Sequence, residues 1–377
     1  MKQYNLANLV AETQSSLISY LASSLPVGNH ANQERLGERL FRLWQESTFK
    51  GPYIETLPAY QTTLSLSELM SAESQQSTAA LFADRIAPNY TWADIDGRFS
   101  TFARARRQLW PLGSDDVNAL KQLWTRPLYT HQADAIEAVV TKAQHVVVAT
   151  GTGSGKTESF LVPILYGLLT EPPDTRTTPG VRALLLYPMN ALVEDQMTRL
   201  RRLLFWINLK AHDATLRERK LARPITFGRY TGETKVSDSD RSPERSVSPE
   251  EIHELGELRY RQEMQNTPPD ILVTNFTMLE YMLLRNDDRN LFKSPALFKF
   301  LVLDEIHTYH GTRGMEVSTL LCRLRDFLSR GLAGRDPGYR CIGTSATLGT
   351  EEHAQEKMAK FATELFGTPF DKQYVQT

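Results

Sequence analysis

Residues 146 to 160 read VVVATGTGSGKTESF, which sets three glycines, a lysine and a threonine directly after an apolar run. Gly151, Gly153 and Gly155 free the backbone to curl its N–H groups toward one point, and a helix opening there aims its positive dipole end at the same point. Such a nest favours a polyphosphate. Lys156 then reaches the β- and γ-phosphates and the Thr157 hydroxyl joins the shell of a Mg²⁺ ion, with Thr150, Thr152 and Ser154 completing the loop. Thr150 stands where the usual G-x-x-x-x-G-K-[ST] pattern has its first glycine. The run alone therefore also reads as a structural turn behind a buried strand.

A phosphate cradle needs a carboxylate on a neighbouring strand to hold its metal. FLVLDEIH, residues 300 to 307, offers two. Asp304 can anchor Mg²⁺ while Glu305 accepts a proton from an attacking water, because adjacent carboxylates at a strand's end diverge toward different tasks. The alternative is that the pair only solvates the strand's end.

The elements that position these groups follow from periodicity. Strands are expected at HVVVAT (145–150), ALLLYP (183–188), ITFGRY (225–230), DILVTN (270–275), FLVLDE (300–305) and CIGTSA (341–346). Helices are expected at 155–170, 191–207 and 315–329. Strands apolar nearly throughout, alternating with helices, imply an α/β fold with a parallel sheet covered on both faces. Residues 1–113 mix helical periodicity, as in NQERLGERLFRLWQES (32–47), with polar turns such as SAESQQST (71–78), and read as an accessory, mainly helical region. The α/β domain is expected over 114–355 with an insertion at 236–268, whose Ser- and Pro-rich first half, 236–254, reads as mobile, and 356–377 reads as a linker.

Composition narrows the class. A chain of 377 residues is long enough for two or three domains of roughly 150 residues each. A formal charge of -1 gives no general attraction to polyanions, so any such site is local. Cys322 and Cys341 have no metal-ligand spacing and read as small buried apolar groups. The N-terminus lacks the pattern of a secretory signal, and the apolar runs fall short of the roughly 20 residues that cross a bilayer, so a cytoplasmic protein without a membrane partner is expected.

Seven motifs then occur in one order: RPLYTHQADAIEAV (126–139), TGTGSGKT (150–157), YPMNALVEDQ (187–196), RYTGET (229–234), ILVTNFTMLEYMLL (271–284), DEIH (304–307) and TSATLG (344–349). This series resembles the first motor domain of superfamily 2 (DEAD/DEAH-like) DNA helicases over about residues 120 to 350. With DEIHTYHGTRG (304–314) it is most similar to the MrfA-like and Lhr-like branch and to the helicases of the bacterial antiphage systems DISARM and Druantia.

The resemblance implies a RecA-like P-loop NTPase domain that uses ATP and Mg²⁺ to move on DNA, 3' to 5', in antiphage defence or DNA repair. It implies that Gln132 recognises the adenine edge with Tyr129 stacking nearby, and that Ser345 and Thr347 pair with the acidic motif, joined by His307, to couple nucleotide state to strand grip. Asn190, Thr231, Gly232, Thr274, Asn275 and Thr277 offer hydroxyls, amides and backbone N–H groups suited to strand phosphates without reading bases. Arg199, Arg201 and Arg202 are either a solvated helix face or a nucleic-acid contact. Tyr309, His310 and Arg313 either face the strand or pack the loop.

Such a motor closes on ATP between two similar domains, the second donating an arginine. Beyond TSATLG only a helical stretch and LFGTPFDKQYVQT remain, so the chain is expected to be a fragment or a half-motor completed by another polypeptide, binding ATP but turning it over poorly. Two other readings stay open: a nucleotide-gated subunit that binds nucleic acid without unwinding it, and an RNA helicase.

Overall fold

The structure, a computed structural model, describes residues 61–65, 127–151, 153–212, 223–237, 255–346 and 353–376, with the single residues Arg39, Leu69 and Phe102. Two compact units are distinguished, Met1–Ala59 and Tyr60–Thr377. Nearly all described residues lie in the second. The helix expected over 32–47, of which only Arg39 is described and is helical, the polar turn 71–78, and most of the Ser/Pro stretch 236–254 lie outside the described residues.

Among its described residues the second unit has ten strands. β1 (Thr62–Ser65) pairs antiparallel with β2 (Pro127–Tyr129) in a small separate sheet. After α1 (Thr130–Val140) the chain alternates strand and helix: β3 (Val146–Ala149), α2 (Lys156–Leu169), the short α3 (Pro173–Arg176), β4 (Ala183–Tyr187), α4 (Asn190–His212), β5 (Phe227–Tyr230). β6 (Glu257–Leu258), α5 (Arg261–Asn266), β7 (Ile271–Asn275), α6 (Phe276–Leu284), β8 (Phe300–Leu303), α7 (Gly311–Gly331), β9 (Arg340–Ser345), α8 (Ala354–Phe366) and β10 (Val375–Gln376) follow. β3 to β10 form one eight-stranded sheet in the order β10-β3-β9-β8-β4-β7-β5-β6, every pair parallel.

Both faces are covered, as near-continuous apolar strands require. Val146, Val148, Leu185, Val273, Val302 and Ile342 face one cluster with Phe160, Leu165 and Leu204 of α2 and α4. Their strand neighbours Val147, Leu184, Leu186, Leu272, Leu301 and Cys341 face the other, with Leu279 of α6, Leu321 of α7 and Ala362 of α8. Each fully buried aliphatic side chain contributes about 1.5–3 kcal/mol, so a rigid sheet results, with all its carboxyl ends on one edge. The doubly covered RecA-like α/β fold is the one expected, and all six anticipated strands form.

Three boundaries differ from expectation. β1 lies within the region taken as accessory, yet it pairs with β2. β6 lies within the expected insertion and pairs with β5, because Glu257 is held by Arg201 and Arg259 against α4 and the neighbouring chain. β10 lies within the expected linker and pairs with β3, closing the opposite edge. Two-residue strands carry too little pattern to be read from sequence. Cys341 is buried as expected, but Cys322 is exposed, since it falls on the solvent side of α7 while Leu321 and Leu324 take the core side.

Candidate functional site

The glycine loop leaves β3 and enters α2 through two left-handed residues, Gly153 at φ +81° and Gly155 at φ +76°. A side chain at Gly155 would also collide with Gln132, its Cβ 2.2 Å from Nε2, whereas above Gly153 there is open space. Thr150, the departure from the usual pattern, is accommodated: its hydroxyl bonds the Ser154 hydroxyl at 2.6 Å, both buried, and so ties the loop across its own base. Gly151 lies in the same loop, and Thr152 lies outside the described residues.

From below, α1 props the loop. Gln132, fully buried, donates from Nε2 to the Gly155 carbonyl at 3.0 Å and accepts the Tyr129 N–H on Oε1 at 3.0 Å. His131 Nε2 lies 2.9 Å from the Ser154 carbonyl, and burial first of all lowers its pKa, so the neutral ring donates there. Tyr129 stacks on His131 with ring centroids 5.6 Å apart. Gln132 was expected at the adenine edge; here one end of its amide serves the Gly155 carbonyl of the loop and the other accepts the Tyr129 N–H at the start of α1. His131 had escaped notice, although it directly precedes Gln132 in the same motif.

The acidic pair leaves β8 between β9 and β4. Asp304 follows the strand and accepts a very short hydrogen bond from the Thr344 hydroxyl of β9, which also accepts the Glu305 N–H at 3.1 Å. Burial pushes the Asp304 carboxyl above its ordinary range, partly offset by Thr344. Glu305 itself sits at φ 51°, a left-handed conformation uncommon for a non-glycine residue, at the turn that follows Asp304. Glu305 Oε1 lies 3.5 Å from Lys156 Nζ, which donates to the Ser345 carbonyl at 3.0 Å. Glycine loop, lysine and both carboxylates thus meet at the carboxyl ends of β3, β9 and β8.

His307 Nδ1 lies 3.2 Å from Glu305 Oε2 and 3.2 Å from the Ala346 N–H, so it serves one partner or the other according to its protonation. It does join the acidic turn to the end of β9. Ser345 does so through its carbonyl; its hydroxyl is buried without a partner, and the hydroxyl on the acidic motif belongs to Thr344. Thr347 lies outside the described residues. Alternation along β9 explains the correction: Thr344 and Ser345 leave opposite faces, and only one can meet β8.

The proposed strand contacts divide. Asn190, Asn275, Thr277 and Gly232 sit at the carboxyl ends of β4, β7 and β5, with Asn275 Nδ2 donating to Asn190 Oδ1 at 2.7 Å and Thr277 and Gly232 exposed. Thr231 and Thr274 are fully buried. The Thr274 hydroxyl donates to the Tyr230 carbonyl, which clamps β7 to the end of β5 instead of facing a ligand. Of the basic run, Arg201 bridges Glu257 at 2.8 Å and Glu194 at 2.9 Å, while Arg199 donates to the Thr157 hydroxyl at 3.0 Å. Tyr309 is buried, His310 packs on Phe361 and Arg313 lies 4.8 Å over the Phe276 ring, so this loop packs inward.

The donor set suits a triphosphate with a hard cation. A lysine ammonium, backbone N–H groups at a helix start, a carboxylate and a threonine hydroxyl are the groups such a ligand uses, and the buried Ser345 hydroxyl is still without a partner there.

Comparison with known proteins follows the same outline. The sequence pattern of the DEAD/DEAH box helicases matches residues 129–226 and 245–355. The Druantia protein DruE of Escherichia coli (strain UMEA 4076-1) is 32% identical over 95% of this chain, which covers 21% of DruE. The ATP-dependent helicase hrq1 of Schizosaccharomyces pombe is 29% identical over 69% of this chain and 20% of its own length. The ATP-dependent helicase YprA of Bacillus subtilis is 27% identical over 64% of this chain and 25% of its own. The chain therefore spans about a fifth to a quarter of these relatives. The crystal structure of DUF1998 helicase MrfA bound to DNA and AMPPNP is 25% identical over 69% of this chain and 29% of that one, with a TM-score of 0.46.

Proposed function

The chain belongs to the DEAD/DEAH box helicase family, and on that premise we propose that it is the ATP-binding half of a superfamily 2 motor acting on DNA. The observation that carries the reading is the meeting of Lys156, Asp304 and Glu305 at one pole of the sheet, with Lys156 3.5 Å from Glu305 and Asp304 held by Thr344 beside it.

In this reading Lys156 holds the β- and γ-phosphates, and the loop N–H groups from Gly151 to Gly155 orient the rest of the chain of phosphates. Thr157 and Asp304 hold Mg²⁺, which when bound neutralises charge on the phosphate oxygens. Glu305 accepts a proton from water at its carboxylate, which lies 3.5 Å from the Lys156 ammonium. His307 and the Thr344 hydroxyl pass the position of the acidic turn to β9. Asn190, Asn275, Thr277 and Gly232 grip strand phosphates, and Tyr129 and Gln132 shape the base side of the pocket.

A second RecA-like domain, in the same or another polypeptide, completes the pocket and donates an arginine, so this chain alone turns ATP over slowly. The motor domain is proposed to centre on 114–355, joined by β1 from the accessory region 1–113 and by β10 from 356–377, a segment that also leads toward that second domain. The similarity to the Druantia protein DruE supports a place in antiphage defence, with DNA repair the other role that the family resemblance implies. Movement 3' to 5' and a cytoplasmic setting follow from the family resemblance; among the described residues no helix is long and apolar enough to cross a membrane.

Equilibrium binding of a fluorescent ATP analogue tests the pocket. Lys156→Ala should abolish binding, and Glu305→Gln should leave it intact while blocking turnover in a polypeptide that carries both motor domains. Parent-like affinity in Lys156→Ala would overturn the assignment. Displacement of labelled single-stranded DNA by RNA at equal concentration would move the substrate to RNA, and nucleotide-dependent strand binding without unwinding by the longer polypeptide would make it a gated binding subunit.

A further inference from the structure

The corner beyond Thr157 holds more hydrogen-bond donors than the chain itself can satisfy. Arg199, two turns into α4, donates from Nη1 to the Thr157 hydroxyl at 3.0 Å, and its Nε lies 3.4 Å from Asp195 Oδ2 one turn earlier. Its side chain is 49% exposed, so it is free to turn without disturbing the core. A guanidinium has five N–H donors in a rigid fork. A neutral hydroxyl and one exposed carboxylate use few of them.

Tyr187 adds another donor. It ends β4, is 3% exposed, and its hydroxyl has no hydrogen-bond partner. The β4–β8 register sets Leu186 opposite Leu303, so Tyr187 adjoins Asp304. Tyr187 shares its face with Leu185 and Val302, the face covered by α2 and α4. Burial above all, and then the neighbouring Asp304, keep the phenol protonated, while Arg199 works in the opposite sense. A buried phenol without a partner carries an uncompensated desolvation cost. Such a cost persists where an acceptor arrives from outside the chain.

Donors of positive or neutral character beside Thr157 and Asp304 match an oxyanion with several free oxygens. A terminal phosphoryl group is that chemistry, and a planar guanidinium binds it in two-pronged fashion. We propose that Arg199, with Tyr187 beside it, is a terminal-phosphate subsite contributed by this domain itself, by which the chain distinguishes a nucleoside triphosphate from a diphosphate. The inference rests on the nucleotide reading of the pocket. It differs from the arginine expected of a second domain, because Arg199 stands on α4 of the same chain and acts on binding before any second domain closes.

The full chain, titrated with fluorescent ATP and ADP analogues in the presence of Mg²⁺, tests it. Arg199→Ala should weaken triphosphate binding roughly 10- to 100-fold and diphosphate binding about twofold or less, the range of a lost charge-assisted hydrogen bond. Arg199→Lys should recover part of the difference, and Tyr187→Phe should weaken the triphosphate alone by about threefold. Lys156→Ala, by contrast, should lose both nucleotides. Equal weakening of both by Arg199→Ala, no change in either, or tighter triphosphate binding would each overturn the subsite; the last would make Arg199 a cation that only stands in the metal's place. Arg199→Gln supplies the same comparison should the alanine variant unfold. A parent chain that binds neither nucleotide would bring down the pocket reading and the subsite with it.

Discussion

Thr344 is the residue on which the two carboxylates depend. Its one hydroxyl donates to Asp304 and accepts the Glu305 N–H, so it fixes the carboxylate proposed to hold the metal and the turn that carries the proposed general base together. Thr344→Val keeps the shape of the side chain and removes both bonds, leaving a buried carboxylate and an N–H in need of partners. Groups that orient a metal ligand typically cost 10- to 100-fold in metal affinity when lost. Thr344→Val should accordingly raise the Mg²⁺ concentration needed for nucleotide binding by about 10-fold, with the far-ultraviolet circular dichroism spectrum unchanged; an unaltered Mg²⁺ dependence would show that Asp304 needs no such support. The lysine, the glycines and the acidic pair were legible in the sequence because each stands in a short contiguous motif whose residue types announce its chemistry. Thr344 was not: its partner lies 40 positions away, across a strand pair, and Ser345 next to it looked equally suitable. The same holds for Thr274, whose hydroxyl is consumed by Tyr230, 44 positions earlier.

At the level of elements, the strand pattern was readable because both faces of the central strands are apolar, and the short edge strands β6 and β10 were not, because two residues carry no period. What fixes the β10 edge is a set of side-chain ties around His145, just before β3. Its Nδ1 accepts the Cys341 N–H at the start of β9 at 3.0 Å, and its Nε2 pairs with the Thr368 hydroxyl at 3.2 Å. Burial, followed by the charges of Arg340 and Arg325, lowers its pKa from the ordinary 6.5 to about 4. The unfolded chain therefore takes up this proton near pH 6.5 while the folded chain resists until about pH 4. Stability is full above the higher value, falls as the pH drops between the two, and levels off below the lower one. The loss amounts to about 2–3 kcal/mol for this group. Urea unfolding followed from pH 7 to pH 4 should show it, and His145→Gln, which cannot protonate, should lower stability at pH 7 yet flatten the slope by that amount. An equal slope in both proteins would mean that His145 titrates freely in the folded chain.

The whole molecule sets two sites on one edge of one sheet. The residues proposed to face the nucleotide stand at the ends of β3, β9 and β8, those proposed to face the strand at the ends of β4, β7 and β5, and β4 lies between β8 and β7. β4 therefore carries Tyr187 toward Asp304 and, three residues on, Asn190 toward Asn275. With a net charge of -1, and with Arg201 and Arg229 already paired to Glu257 and Glu194, the strand edge offers amides and hydroxyls more than free cations. Binding through such groups releases few counterions. The log of the single-strand affinity should fall with the log of salt concentration at a slope of about -1 to -2, against roughly -0.7 for each phosphate neutralised by a cation. Asn190→Ala combined with Asn275→Ala should weaken single-stranded DNA of any sequence to a similar degree and leave nucleotide affinity unchanged, since neither residue touches the glycine loop. Fluorescence anisotropy with homopolymer and mixed-sequence strands measures both quantities. A slope near -6 would place an unrecognised cationic surface in charge of the grip, and a strong preference among sequences would mean that bases, and not backbone, are being read.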